Sequence, residues 1–247
     1  MSTRAEQSPY RAKSEGKSLH GRIVRELGER ILSGELAPGD RLPAEAELIA
    51  KYAVSRPVLR EAVRVLVAKG LVISRQRAGA IVRPRSQWHL LDPDVLFWMI
   101  QTRPAPDFIR TLMGMRRVFE PGAAALAAQA ATDEQLAGIA QAYDRMVDAK
   151  TADDMLEPDL AFHRRIAEAT GNDLMAYIGT MLSLALRESI KLSSKLPTAH
   201  ALSLPRHKAI LTALQSRDAA AAHQATVLQL DATQLDLSAA ISTAADS

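Results

Sequence analysis

The chain has 247 residues, which is enough for two modest domains that each bury their own core, and it contains no cysteine. The lack of cysteine excludes disulfide bonds, thiolate zinc sites and cysteine nucleophiles. Residues 1–86 carry 17 basic and 9 acidic side chains, whereas residues 87–247 carry 14 and 19. A basic first third suits nucleic-acid phosphates, and an acidic remainder would be repelled by them.

The first 18 residues, MSTRAEQSPYRAKSEGKS, are polar and lack the hydrophobic core of a signal peptide. We therefore expect a mobile arm at residues 1–18. No apolar run in the sequence approaches the length of a membrane span, so we expect no membrane contact. Together with the absence of cysteine, this predicts a cytoplasmic protein.

The segment from residue 42 to residue 70 predicts two helices with a short turn at 52–54. In the first helix, Glu45 and Glu47 lie in the first turn, where the helix dipole favours acidic side chains. In the second helix, Ser55 is a residue type that caps helix N-termini, and Pro57 lies where a missing N–H costs nothing. Apolar residues recur at helical spacing at Leu59, Ala62, Val63, Leu66 and Val67.

A short hairpin is predicted after the second helix. Gly70 is expected to end the helix, and strands over 71–75 and 80–83 follow around a turn that contains Gly79. The hairpin is basic, with arginines at Arg75, Arg77, Arg83 and Arg85. This order of elements predicts a winged helix-turn-helix, an α+β fold that binds DNA.

A row of arginines lies beside the core face of the second helix. Arg56, Arg60 and Arg64 follow one another at one-turn spacing, and like charges four residues apart repel on an isolated helix. Glu61 relieves only part of this repulsion, so an external polyanion is a natural partner. For a winged helix-turn-helix, that partner is double-stranded operator DNA. The alternative is an ordinary solvated charged face.

From about residue 94 onward the pattern is helical, and nothing after the hairpin predicts a strand. The predicted helices cover 95–101, 107–131, 133–149, 152–170, 173–193, 202–216 and 218–240. We interpret the chain as a winged helix-turn-helix domain over 19–86 joined to an all-α helical bundle. The linker and first helix of the bundle domain cover 87–103, its body covers 104–240, and a C-terminal tail covers 241–247.

One pair of side chains in the helical part could bind metal. Asp159 and His163 are four residues apart, so they share one face of a helix that also carries buried-type apolar residues. A carboxylate and an imidazole one turn apart can form half of a metal site. The same pair can equally be a plain hydrogen bond, and the spacing alone leaves both interpretations open.

The first domain resembles the GntR family of bacterial regulators. The resemblance lies in Leu42-Pro43-Ala44-Glu45, Ser55-Arg56, Leu59-Arg60-Glu61-Ala62, Lys69-Gly70-Leu71-Val72 and Gly79 with Val82. In the fatty-acid-regulator branch of this family, DNA contacts come from the recognition helix and the wing tip. The resemblance therefore implies DNA contacts from Ser55, Arg56, Arg60 and Gly79. Many members have a DNA-contacting arginine where this chain has Ala46.

The helical part resembles the effector domain of the same branch, in which an Asp and three His often hold a divalent metal such as zinc. The matching positions are Asp159, His163 and His207, and the last histidine of the pattern falls on Gln229. His223 is six residues out of register, which on a helix turns it away by roughly 120°. The resemblance thus implies either a three-ligand metal site or direct binding of an effector by these residues, with Gln229 nearby.

Two arginines could complete an anion pocket in this domain. Arg116 has Glu120 one turn later, and Arg187 lies on an otherwise apolar helix. Each could instead form an ion pair or lie at the surface. Likeness to sugar-acid-responsive members of the family implies a homodimeric repressor that a small carboxylate releases from DNA. The rival hypotheses are a metal sensor without an organic effector and a metalloenzyme with a DNA-binding appendage, although the sequence contains no HExxH motif and no nucleophile motif.

Overall fold

The computed structural model of the protein describes residues 19–75, 79–102, 105–193 and 199–245, and the predicted arm at 1–18 lies outside them. The chain divides into two units, Met1–Arg103 and Pro104–Ser247. The elements of the first unit are α1 (Leu19–Ser33), α2 (Glu45–Tyr52), α3 (Arg56–Ala68), β1 (Val72–Arg75), β2 (Gly79–Val82) and α4 (Pro93–Thr102). Those of the second are α5 (Ala105–Ala130), α6 (Asp133–Val147), α7 (Ala152–Glu168), α8 (Asp173–Ser193), α9 (Ala199–Gln215) and α10 (Ala219–Ala245).

The first unit is the predicted winged helix-turn-helix. Helix α3 packs on α1 through its apolar face, with Leu59, Ala62 and Leu66 buried. Ser55 lies at the N-cap of α3 as expected, but its side chain makes no capping hydrogen bond. Strands β1 and β2 pair antiparallel, with Val72 opposite Val82. The turn between the strands falls outside the described residues, and so does Arg77.

Helix α4 packs on α1 in the first unit, whereas the sequence analysis grouped residues 87–103 with the helical domain. The contact depends on Gly28, because a Cβ added there would lie 2.5 Å from Cε3 of Trp98. Val95 and Met99 are buried beside Trp98. Sequence periodicity cannot show that α4 packs on α1. That prediction would require knowing that a glycine on α1 leaves space for the indole of Trp98.

Lys69, at the C-terminal end of α3, ties α3 to the start of α4. Its Nζ lies 2.9 Å from Oδ1 of Asp92 and 2.5 Å from Oδ2 of Asp94, and 5.5 Å from the ring centroid of Trp98. Burial lowers the pKa of Lys69, but hydrogen bonds to Asp94 and Asp92 outweigh it and raise the pKa overall. Because Asp92 also caps α4 by accepting from the Val95 N–H, one cluster fixes both helices.

Replacing Lys69 by methionine should lower the free energy of unfolding of the first unit by about 2 kcal/mol, because it leaves two partly buried carboxylates without their cation. Denaturant unfolding of the full chain measures this change. Lys51→Met is the matched control, since Lys51 pairs with Glu26 at the surface, where solvent screens the pair, and its loss should lower the free energy of unfolding far less. Equal losses in the two variants would contradict a special role for the Lys69 cluster.

The second unit is all helical over its described residues, as predicted. Helix α10 packs on α5 and α9, and α7 packs on α6 and α8. The Ala-rich stretch of α5 packs into the core, where Ala124, Ala127 and Ala128 are buried with Phe162 and Ile210. Capping boxes at Thr132 and Thr151 begin α6 and α7.

The ends of two elements differ from expectation. Helix α10 continues to Ala245, so most of the predicted tail at 241–247 is helical, because that segment contains neither Gly nor Pro to end the helix. Helix α9 begins at Ala199, ahead of the predicted start at 202. Among the described helices, none combines the length and the apolar character needed to cross a bilayer.

Candidate functional site

The exposed face of α3 carries the predicted DNA-contacting residues. Ser55, Arg56, Arg60 and Arg64 are all exposed. Arg60 Nε lies 3.4 Å from Glu45 Oε1, and Arg64 Nη1 lies 3.2 Å from Glu61 Oε2. Such exposed pairs are weak, so the guanidinium groups can exchange these partners for DNA.

An open groove of about 830 Å³ runs between α3 and the hairpin within the first unit. Its polar lining includes Arg41, Arg60, Arg64 and Ser74. Gly79 also lines it, with φ +77°, and a Cβ added there would meet no atom within 4 Å. Arg41 precedes α2 and was missed by the sequence analysis. Arg41 lies at this groove because the chain next to it pairs with β2, where the backbone N–H of Leu42 donates to the carbonyl oxygen of Ala80 at 2.9 Å.

In the second unit, the structure brings together the three predicted metal ligands. Asp159 and His163 lie on α7 and His207 on α9. The two Nε2 atoms are 3.2 Å apart, and Asp159 Oδ1 lies 3.3 Å from His163 Nε2 and 3.8 Å from His207 Nε2. Phe162 packs edge-on against both imidazole rings and helps fix their positions.

The outer nitrogen of each imidazole contacts an oxygen. His163 Nδ1 lies 3.2 Å from Glu120 Oε2, and His207 Nδ1 lies 2.9 Å from the Ser203 carbonyl oxygen. When each Nδ1–H donates to these acceptors, each Nε2 points toward the other and toward Asp159. Carboxylates and carbonyls orient metal-binding histidines in the same way.

The charges of the cluster shift its pKa values. Burial lowers the pKa of His163, but Glu120 and Asp159 outweigh it and raise it to about 9. Burial lowers the pKa of His207, with a further contribution from His163. Burial would raise the pKa of Glu120, yet Arg116 and His163 hold it well below its usual range. The neighbouring charges thus raise the pKa of His163, whereas burial lowers the pKa of His207.

The three side chains fit a divalent cation with nitrogen and oxygen ligands. Asp159 Oδ1 is buried and has no hydrogen-bond partner of normal geometry. The ligand atoms around tetrahedral zinc lie about 3.4 Å apart, given Zn–N distances near 2.1 Å, and the separations in this cluster are similar. The fourth position of the family pattern, Gln229, lies on α10, is buried and has an unpaired Oε1. His223 is exposed on the same helix.

A small cavity adjoins the cluster. It has a volume of about 10 Å³ and its lining includes Glu120, His163 and Thr226. Thr226 precedes Gln229 by three residues on α10, so the two share a face of that helix. The space is sufficient for roughly one water molecule.

The two predicted anion-binding arginines have different surroundings. Arg116 is 2% exposed, and its Nε and Nη2 lie 2.5 and 3.3 Å from the two carboxylate oxygens of Glu120. Arg187 is half-buried, and its Nη1 lies 2.6 Å from Oε1 of the exposed Glu157. The sequence spacing could indicate the Arg116–Glu120 pair, but it could not indicate that Glu120 also reaches His163 on α7.

Both units of the chain are similar to known protein families. Residues 19–82 match the family described as "Bacterial regulatory proteins, gntR family", and residues 111–232 match the FCD domain. The chain is 34% identical over 211 residues to the galactonate operon transcriptional repressor of Escherichia coli (strain K12), covering 85% of this chain and 92% of that protein. It is 31% identical over 209 residues to the transcriptional repressor NanR of Salmonella newport (strain SL254), covering 82% and 78%.

The solved structure of another protein has a similar fold. That of Lar, described as controlling expression of the Listeria monocytogenes agr system, matches with a TM-score of 0.60 at 19% identity, covering 89% of this chain and 96% of that chain. The families and curated relatives that the chain matches are transcriptional regulators and not enzymes.

Proposed function

The chain belongs to the GntR family of bacterial regulatory proteins and carries an FCD domain, and on this premise we propose that it is a repressor that a sugar acid releases from its operator. The observation that carries the proposal is the buried cluster of Asp159, His163 and His207 beside Arg116 in the FCD domain. Likeness to the galactonate repressor supports a hexonate as the effector.

A sugar acid offers a carboxylate with an adjacent hydroxyl, and the cluster has groups for both. A divalent ion held by Asp159, His163 and His207 would supply a Lewis acid with open positions for these oxygens. Arg116 and Arg187 would supply a planar, always charged partner for the carboxylate. The unpaired Oε1 of Gln229 would accept a hydrogen bond from a sugar hydroxyl.

The cavity beside the cluster links binding to a change of shape. Pockets for small molecules ordinarily enclose about 300–1,000 Å³, whereas this cavity has about 10 Å³. A sugar acid that binds in this cavity therefore has to move α5, α7, α9 or α10 apart before it fits. An effector that binds only the opened arrangement shifts the population toward it, which is the condition for coupling to DNA release.

The test titrates galactonate and related sugar acids into complexes of the full chain with operator DNA. The parent should release DNA. Arg187→Ala should not, because the effector carboxylate loses one of its two proposed charged partners, whereas Glu157, the present partner of Arg187, is exposed and stays solvated. Arg116→Lys should respond only partly, since lysine keeps the charge but lacks the fork. DNA affinity without effector should be unchanged in both. A parent that retains DNA with every sugar acid would refute the proposed effector class.

The small cavity also favours a second candidate, a regulator that senses the metal alone. In that case the protein would leave DNA when zinc or a similar ion is added or removed, and sugar acids would have no effect. The same titration, run with and without a chelator, separates the two functions.

We also propose that the protein acts as a homodimer, because one winged helix reads only a few base pairs, whereas a two-fold pair can read a longer, pseudo-palindromic site. An apolar surface on the second unit supports this. On α5, Met115 and Val118 are 38% and 83% exposed, and on α10, Leu228 and Leu235 are 58% and 72% exposed. The Arg117–Asp231 ion pair joins the two helices beside this surface.

Val118→Asp should weaken the dimer by about 2 kcal/mol or more, because the interface would bury an unpaired carboxylate. Sedimentation at micromolar concentration measures the change. Leu174→Asp on α8 is the matched control, since Leu174 is 74% exposed on another helix and should leave the dimer intact. Dissociation by Leu174→Asp but not by Val118→Asp would mean that the dimer uses a different face.

A further inference from the structure

Glu120 contacts Arg116, whose guanidinium is always charged, and His163, one of the three residues of the Asp159–His163–His207 cluster. One oxygen lies 2.5 Å from Arg116 Nε, and the other lies 3.3 Å from Arg116 Nη2 and 3.2 Å from His163 Nδ1. Its side chain is 9% exposed, so water does little to screen these contacts. Glu120 is therefore a central acceptor in the site and not a surface ion-pair partner.

Glu120 occupies the edge of the Arg116 guanidinium that a ligand carboxylate would need. A guanidinium binds a carboxylate best through two parallel N–H groups, and Glu120 occupies the pair at Nε and Nη2. The other terminal nitrogen, Nη1, lies 3.7 Å from Met113 Sδ, which is a weak acceptor. A carboxylate that approached Arg116 without displacing Glu120 would also face the negative charge of Glu120 in a buried site.

We infer that Glu120 is an internal competitor that occupies Arg116 in place of the effector carboxylate. This inference rests on the proposed function. An incoming carboxylate takes the Nε and Nη2 edge of Arg116, and Glu120 keeps its contact with His163 Nδ1, so the displaced carboxylate retains one buried partner. The competition lowers the affinity for all carboxylates, so only a ligand with further contacts binds well.

The experiment compares carboxylate binding by the full-length parent and by Glu120→Gln. Glutamine keeps the size of the side chain and an oxygen for His163 Nδ1–H, but it loses the charge that holds Arg116. We expect Glu120→Gln to bind galactonate and glycolate, the smallest 2-hydroxy acid, about tenfold more tightly than the parent in calorimetric titrations. Its thermal midpoint should fall at the same time, because a buried guanidinium loses its anion. A purely structural role would weaken both binding and stability.

Glu168→Gln is the matched control. Glu168 pairs with Arg164 at the same four-residue spacing on a helix, with Nε to Oε1 at 3.2 Å, but it is 45% exposed, so its loss should change neither measurement. If Glu120→Gln does not fold, Glu120→Asp tests the same competition in another way. Aspartate keeps the charge but is shorter by one methylene, so it should hold Arg116 less well, and the affinity for both acids should again rise.

The outcomes separate this inference from the effector proposal. Tighter binding of glycolate by Glu120→Gln supports the inference even if galactonate never releases the parent from DNA. Equal or weaker binding of both acids by the variant overturns it, even if galactonate releases the parent normally.

Discussion

Replacing Arg56 or Arg60 by alanine is expected to weaken binding to the operator by about 1–3 kcal/mol each, which is the contribution of a good bidentate contact to a base. Both side chains project from the exposed face of α3, at and near its N-terminal end, where a recognition helix contacts base edges. The fold should be unaffected, because the buried residues of α3 are Leu59, Ala62 and Leu66.

The measurement is a binding titration with operator DNA selected from a random pool, at two salt concentrations. Arg25→Ala is the matched control, since Arg25 is an exposed arginine on α1 that pairs with Glu29 and should alter affinity little. Arg64→Ala and Arg41→Ala should weaken binding to all sequences alike and lower the salt dependence, as expected of phosphate contacts. If both Arg56→Ala and Arg60→Ala bind as tightly as the parent, α3 is not the recognition helix.

The winged helix-turn-helix could be predicted from sequence because the residues that define it are close together in the chain. The periodic apolar residues of α3, the glycine that ends it and the two short strands lie in one continuous segment, and the structure confirms them to within a residue or two. The all-α character of the second unit was equally local. Proline, glycine and capping residues mark most of its helix ends.

Other features depend on contacts between segments that are distant in the chain, and the periodicity of the sequence carries no information about such contacts. The position of α4 depends on Gly28, seventy residues before Trp98 in the chain. The approach of His163 to His207 was expected only from family resemblance, and the contact between Glu120 and His163 was not expected at all. Glu120 appeared in sequence as an ion-pair partner of Arg116, and only the packing of α5 against α7 brings it to His163.

The second large effect is expected at the cluster of Asp159, His163 and His207. His163→Ala and His207→Ala should each lower the affinity for zinc or a similar divalent ion by at least about 100-fold, because each removes a ligand, and loss of an orienting partner alone costs 10- to 100-fold. Their Nε2 atoms lie 3.2 Å apart and face Asp159, so neither exposed histidines nor solvent can easily replace them. Metal content is measured by elemental analysis of protein prepared without a chelator, and affinity is measured by competition with a chromogenic chelator.

His223→Ala is the control that separates a specific site from general binding by histidines. His223 is exposed on α10, so its replacement should leave metal content unchanged. Circular dichroism verifies that the variants fold, since His163→Ala also takes a buried partner from Glu120 and Asp159. Gln229→His places an imidazole at the position of the fourth ligand in the family pattern, and it should raise the affinity for the metal because four protein ligands hold zinc more tightly than three. Equal metal content in His163→Ala, His207→Ala and His223→Ala, or none in the parent, would remove the metal from the mechanism and leave direct binding of the effector.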